Sequence, residues 1–179
     1  YDNEYFIQQG FIPLKDYLYP NDWVCNFGAS HTLEYAFSCY AAAQMAKAIG
    51  KTAAYDTLMQ YSYAYKNLFD PETKYMRPRE MDGSFMKDFE PLKGWKGFQE
   101  GNAAQYTWYV PHDIQGLIEL MGIDLFNERL ENTFIESRKT LFGGGKEIDS
   151  FSGVEKLYNQ GNQPCLHDAW LFNYSGKPW

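Results

Sequence analysis

The residues with most chemical promise gather in one aromatic-rich run, Gly94-Trp95-Lys96-Gly97-Phe98-Gln99-Glu100-Gly101-Asn102-Ala103-Ala104-Gln105-Tyr106-Thr107-Trp108. Glu100 is followed by a flexible glycine and flanked by Trp and Tyr side chains. A carboxyl in an aromatic, partly dry setting has its charged form disfavoured, which is what a general acid working near neutral pH requires. The same residue types also suit a Glu that caps a helix or forms a salt bridge on a surface turn. Trp95, Tyr106 and Trp108 each pair a flat apolar face with one polar handle, and such side chains line sugar-stacking grooves or the edges of a core.

Two more clusters combine polar groups with aromatic surroundings. In Pro111-His112-Asp113, both titratable residues stand at an expected helix start, where Asp113 is explained by capping and by the helix dipole as well as by a binding role. In Gly161-Asn162-Gln163-Pro164-Cys165-Leu166-His167-Asp168, the Asn162 and Gln163 amide oxygens are hard ligands suited to calcium, to which His167 and Asp168 could contribute, although first-turn capping accounts for them too. No EF-hand pattern is present. Glu34, inside an apolar helical pattern, is a further candidate buried carboxylate or a satisfied structural one. The chain contains no GxSxG, GxxxxGK[ST], HExxH or GxGxxG. Cys25, Cys39 and Cys165 cannot form a closed disulfide set and have no zinc-like spacing, so they read as core thiols.

These residues must be positioned by helices. The first thirty residues, rich in Gly, Pro and aromatics, show no sustained period and read as an irregular entry. Ser30 or Thr32 can cap a helix from about His31 to Ile49, with Leu33, Phe37, Tyr40, Ala41 and Met45 apolar and a stop at Gly50. Thr52 can cap a second helix to about Phe69, ended by Asp70-Pro71, so the two form an antiparallel hairpin. Met81-Asp82-Gly83-Ser84-Phe85 signals a turn between extended pieces. Helical period returns over Glu100–Trp108 and Asp113–Met121. Another helix begins at Asp124 with the stripe Leu125, Phe126, Leu130, Phe134 and Ile135. After Gly143-Gly144-Gly145 and a polar loop, a last helix is expected from about Pro164 to Tyr174, carrying Leu166, Trp170 and Leu171. Helical pairs with functional loops at one end suit an all-α toroid of helical hairpins, or a plain helical bundle. No repeat of 20–50 residues is visible in the sequence.

Composition narrows the function classes. The chain has 179 residues, enough for one domain with a real core. Its 16 basic and 23 acidic side chains give a formal charge of -7, without the basic stripe that nucleic-acid binding needs. No apolar run approaches the roughly 18 residues that span a bilayer, and no signal-type segment opens the chain. An apolar content of 45% with 22% charged residues excludes disorder. Aromatic residues make up 18% of the chain, 15 of them Tyr, an excess that fits a groove, an interface or a Tyr-rich core. Neither end reads as a natural domain terminus, so a segment of something larger is expected.

Several motifs occur together and in order: Thr32-Leu33-Glu34-Tyr35-Ala36, Ala43-Gln44-Met45-Ala46, Glu100-Gly101-Asn102 with Gln105-Tyr106-Thr107-Trp108, Val110-Pro111-His112-Asp113, Gly161-Asn162-Gln163-Pro164, Leu171-Phe172-Asn173-Tyr174 and Gly176-Lys177-Pro178-Trp179. From about residue 9 to 179 the chain resembles the catalytic region of glycoside hydrolase family 92, the calcium-dependent, exo-acting α-mannosidases. The resemblance implies the middle of an (α/α)6 toroid. An N-terminal β-sandwich and the C-terminal part of the toroid would lie outside these residues. It implies that Glu100 is the general acid of an inverting reaction on terminal α-linked mannose, with Ca2+ bound to sugar hydroxyls. It also places Asn162 and Gln163 beside metal and substrate.

Trp95, Trp108, His112 and Asp113 are taken as further substrate-binding candidates. The partners implied are a mannose-containing glycan and the remainder of the catalytic domain, and the location implied is the periplasm or the exterior. Two positions depart from the family pattern. Asn162-Gln163-Pro164 stands where several members carry Asn-Glu-Pro, and the neutral Ser38 and Cys39 stand where acidic residues are expected. The general base belongs to a family motif C-terminal to Trp179, so these residues alone are expected to be inactive. Two other readings use the same residues. One is a non-catalytic carbohydrate-binding protein with Trp95, Tyr106, Trp108 and Trp170 stacking on sugars; the other is a structural fragment with exposed aromatic surface.

Overall fold

The structure, a computed structural model, describes residues 2–15, 27–139 and 151–178. Its first helix, α1 (Asp2–Gln9), opens on Asp2 and Glu4, acidic side chains that the helix dipole favours there, and stops before Gly10 at φ 74°. This helix occupies a stretch expected to be irregular. Beyond it, Ile12 to Leu14 runs so close to the start of α2 (Gly28–Ala48) that a side chain at position 28 would collide with the Ile12 carbonyl. Only glycine fits there, so α2 begins three residues before the expected His31.

Neither expected cap of α2 acts as one. Thr32 Oγ1 donates back to the Gly28 carbonyl at 2.7 Å and accepts from Ile12 N–H at 2.8 Å, while Ser30 Oγ accepts from Gln99 N–H. The helix buries Leu33 together with Ala29, Ala36, Ala43 and Ala46, whose small side chains allow close approach, whereas Met45 is 71% exposed and Glu34 is also exposed. At its end Gly50, at φ 73°, closes the left-handed cap. Gly50 N–H donates to Lys47 O at 3.1 Å and Lys51 N–H to Ala46 O at 2.8 Å. The chain reverses into α3 (Thr52–Ser62), completing the expected hairpin, and tightens into a 3₁₀ segment over Tyr63–Asn67. Thr52 is the first helical residue rather than the cap.

The segment that follows has no regular strand. Isolated bridges pair Phe69 with Met76 and Arg79 with Phe85, the second closing the turn expected at Asp82-Gly83. α4 (Ala103–Tyr106) is a single turn inside the region expected to be helical from Glu100 to Trp108. α5 (Ile114–Met121) and α6 (Ile123–Ser137) share Gly122, whose φ of 86° ends one helix and starts the next. The last expected helix is instead two 3₁₀ turns, Gln163–Cys165 and Asp168–Asn173. The tighter winding moves the stripe, so that Leu171 is buried while Leu166 and Trp170 face outward.

These elements meet in one main core around Leu33, Tyr65, Leu68, Phe98, Leu117 and Leu130. Trp108 lies at its centre, edge-on to Phe126 with ring centroids 5.3 Å apart. Cys165 belongs to the interior and Cys39 is half-buried against a smaller cluster around Phe6, as expected of core thiols. Cys25, Gly143-Gly144-Gly145 and Trp179 lie outside the described residues. No helix among the described residues is long and apolar enough to cross a membrane.

Candidate active site

The site is built from the backbone around Glu100. The start of α2 points its free N–H groups at the loop that leads to Glu100, with Ala29 N–H and Ser30 N–H both donating to the Gly97 carbonyl at 3.1 Å. Ser30 Oγ then accepts from Gln99 N–H at 2.7 Å, and Tyr106 OH donates to the Gln99 carbonyl at 2.9 Å. Asn162 Nδ2 donates to the Glu100 carbonyl at 2.8 Å, and Trp95 N–H donates to the Gly101 carbonyl at 3.2 Å. Helix α2, the α4 turn, the Trp95 loop and the Asn162 loop thus each hold one polar group of residues 99–101. This grip keeps Glu100 at φ 52° and Trp95 at φ 65°, left-handed values that cost a non-glycine residue on the order of 1 kcal/mol or more. At position 101 a Cβ would come within 2.9 Å of the Tyr106 ring and 3.0 Å of Gln105 Oε1, so the glycine after Glu100 is a packing requirement.

Buried amides fasten the loop of residues 151–162 to the same motif. Asn102 caps α4 by accepting from Gln105 N–H at 3.0 Å, and its Nδ2 donates to the carbonyls of Val154 and Lys156, both at 2.8 Å. Gln105 Nε2 donates to Gly153 O at 2.9 Å and Lys156 O at 2.7 Å. Asn102 and Gln105 were visible in the sequence as motif members, but their work was not. An amide in a helical pattern carries no local sign of which distant carbonyls it will meet.

Glu100 itself is exposed, so the dry aromatic setting expected around its carboxyl is not supplied by the described residues. Trp95 is half-buried, edge-on to Phe151 at 5.0 Å, and lines a cavity of about 490 Å³ with Lys87, Asp88, Glu90, Lys93 and Lys96. Trp108 presents no surface at all, so here it packs the core and has no face to offer a sugar. Trp170, by contrast, is 70% exposed.

His112 and Asp113 are engaged with the scaffold. His112 Nε2 donates to the Ser62 carbonyl at 2.8 Å, its ring lies among Phe37, Tyr40 and Tyr65, and burial pushes its imidazole below the ordinary range. Asp113 caps α5, accepting from Gly116 N–H at 3.1 Å and from Tyr65 OH at 2.6 Å. Together they border a cavity of about 360 Å³ with Phe37, Tyr40 and Tyr174.

Asn162 is buried and Gln163 exposed on the neighbouring turn. Amide oxygens suit calcium, which prefers six to eight hard oxygen donors. Among the described residues no group of three or more His, Cys, Asp or Glu side chains could hold a metal ion. A calcium at this loop would therefore need donors beyond Asn162 and Gln163. Asp168 is fully buried, its Oδ1 lies 3.9 Å from His167 Nδ1, and neither carboxyl oxygen has a hydrogen-bond partner among the described residues; burial pushes its carboxyl up to about 8 and the His167 imidazole below its ordinary range.

An exposed carboxyl on a rigidly gripped, strained loop is an arrangement open to a ligand and able to exchange a proton with it. Comparisons with known proteins agree with that class. Residues 1–179 match the glycosyl hydrolase family 92 catalytic domain, and the chain belongs to this family. The solved GH92 α-mannosidase BT3965 from Bacteroides thetaiotaomicron is 36% identical with a TM-score of 0.78, over 98% of this chain and 21% of that one. The same enzyme in complex with mannoimidazole gives 35% identity and a TM-score of 0.80, over 98% and 23%. The family GH92 inverting mannosidase BT2199 from Bacteroides thetaiotaomicron VPI-5482 gives 29% and 0.79, over 98% and 24%. The chain thus spans less than a quarter of the length of these relatives, and its helices form part of an (α/α)6 toroid. No curated protein matches the chain.

Proposed function

We propose that this chain is the acid-bearing part of the catalytic domain of an exo-acting, inverting α-mannosidase that removes terminal α-linked mannose from glycans. The observation that carries the reading is the grip on residues 99–101, which fixes the Glu100 backbone from several elements while leaving its side chain open to a ligand. In the proposed step the Glu100 carboxyl gives its proton to the glycosidic oxygen as the bond from that oxygen to C1 breaks. A water attacks C1 from the opposite face, losing its proton to a second carboxylate, and β-mannose is released. Inverting pairs of carboxyls stand about 6.5–9.5 Å apart to admit that water. The resemblance puts the base C-terminal to these residues and a β-sandwich N-terminal to them, so the residues alone should release no mannose.

Calcium enters the reading through the family. The Asn162 and Gln163 amide oxygens would be its donors from this chain, and when bound it would supply a Lewis-acid contact to sugar hydroxyls. The titratable Pro111-His112-Asp113 corner is read as shaping the neighbouring wall, and Trp95 as the sugar platform nearest Glu100. The family resemblance likewise supports export to the periplasm or beyond.

The test is Glu100→Gln in the intact enzyme, assayed on α-linked mannobiosides with the released anomer followed by proton NMR. Wild type should release β-mannose, and the variant should lose about 100-fold or more in kcat while still binding mannosides. Unchanged turnover in the variant would remove the assignment. The exposed Trp170 favours one alternative, sugar binding without catalysis. A folded wild-type protein that binds mannosides and cleaves none would establish it.

A further inference from the structure

Ser30, Glu34 and Phe37 follow one another along α2 at the spacing of a single helical face. The residues on either side of Glu34 on that face both have partners far along the chain. Ser30 holds Gln99 N–H at 2.7 Å, next to Glu100, and Phe37 lies edge-on to Tyr109 at 6.3 Å. Glu34 sits between these contacts and accepts from Tyr109 OH at 3.2 Å. Tyr109 in turn lies edge-on to Tyr106, whose hydroxyl bonds the Gln99 carbonyl, and to His167, each at 6.1 Å. The face of α2 whose Ser30 holds Gln99 therefore also carries a second carboxylate, bonded to the Tyr109 ring that lies against Tyr106.

Glu34 looks unlike a scaffold residue. It is exposed, it caps nothing, and no Lys, Arg or His pairs with it among the described residues. An ionised carboxylate offers about four acceptor sites, and Tyr109 uses one. Tyr109 keeps its proton for that bond, because burial and then the neighbouring Glu34 charge push its phenol up to about 12. The carboxylate is thereby oriented, with acceptor capacity left for a ligand. A group of this kind suits neighbouring hydroxyls of a sugar ring, each O–H of which can donate to one carboxylate oxygen.

We infer that Glu34, oriented by Tyr109, binds hydroxyl groups of the mannosyl residue whose glycosidic oxygen Glu100 protonates. The inference rests on the proposed role of Glu100. A charged hydrogen bond lost from the substrate complex is worth about 10- to 100-fold.

The experiment compares Glu34→Ala, Glu34→Gln and Tyr109→Phe in the intact enzyme, using an aryl α-mannoside and its monodeoxy analogues. Glu34→Ala should raise KM by about 10- to 100-fold with kcat less affected, Glu34→Gln should fall between it and wild type, and Tyr109→Phe should move KM in the same direction by less. With the deoxy analogue that lacks the contacted hydroxyl, wild type and Glu34→Ala should converge. An unchanged KM in Glu34→Ala overturns the inference, as does a penalty of equal size on every analogue, which would mark a structural role. Normal wild-type turnover with an unaffected Glu34→Ala removes this inference alone. A wild type that cleaves no mannoside removes the mannosidase reading and this one with it.

Discussion

Glu100 is held through its backbone, and the loop pays for this with a left-handed φ of 52°. Nothing in the residue types around it announces such a conformation, since Glu rarely adopts it without surrounding contacts that impose it. Asp168 is the opposite case, a side chain placed where its charge cannot be solvated. Its carboxyl is raised to about 8 by burial. Below pH 4 folded and unfolded chains both hold the proton. Between about pH 4 and pH 8 the unfolded chain releases it and the folded chain keeps it, so stability falls as pH rises, by up to about 1.4 kcal/mol per pH unit. Asp168→Asn should therefore melt higher than wild type at pH 8 and close to it at pH 4. Equal melting temperatures at both pH values would show that Asp168 is solvated or paired in the intact protein.

Among the elements, the turn that carries Asn162 is tied to the Glu100 carbonyl by a side-chain bond from a buried amide. Asn162→Ala leaves the Glu100 carbonyl without that donor, at a cost of about 1–2 kcal/mol in stability. It should lower kcat about tenfold or more with a smaller change in KM, because Glu100, the proposed acid, is displaced while the Trp95 ring is untouched. Steady-state kinetics with a thermal melt checks this; a change confined to calcium affinity would instead assign Asn162 to the metal. The elements were only partly legible. Gly50, Gly122 and the Pro111-to-Asp113 helix start are local signals and stand where they were read. The 3₁₀ winding of Asp168–Asn173, which turns Trp170 outward, goes with distant partners, the His167 ring on the Trp108 carbonyl at 2.7 Å and Phe172 against Phe134 at 6.0 Å, and has no local signature. Thr32 looks like a cap by type, yet its hydroxyl meets Ile12 from a segment twenty residues away.

For the whole molecule, the family and the helical architecture come from motifs in the order in which they stand, and so does the choice of Glu100 as the candidate acid. Calcium is testable at this scale. Chelation of the intact enzyme should abolish β-mannose release and lower its melting temperature, and added Ca2+ should restore both; release unaffected by a chelator would sever the metal from the mechanism. The sequence alone determined which residue types were available and which short segments could turn, cap or coil, because those preferences act within a few residues. Tertiary structure decided that Trp108 is core, that Asn162 clamps the Glu100 backbone, and that Glu34 meets Tyr109. Each of those outcomes depends on a partner far along the chain, and burial and hydrogen bonding are settled only when that partner arrives.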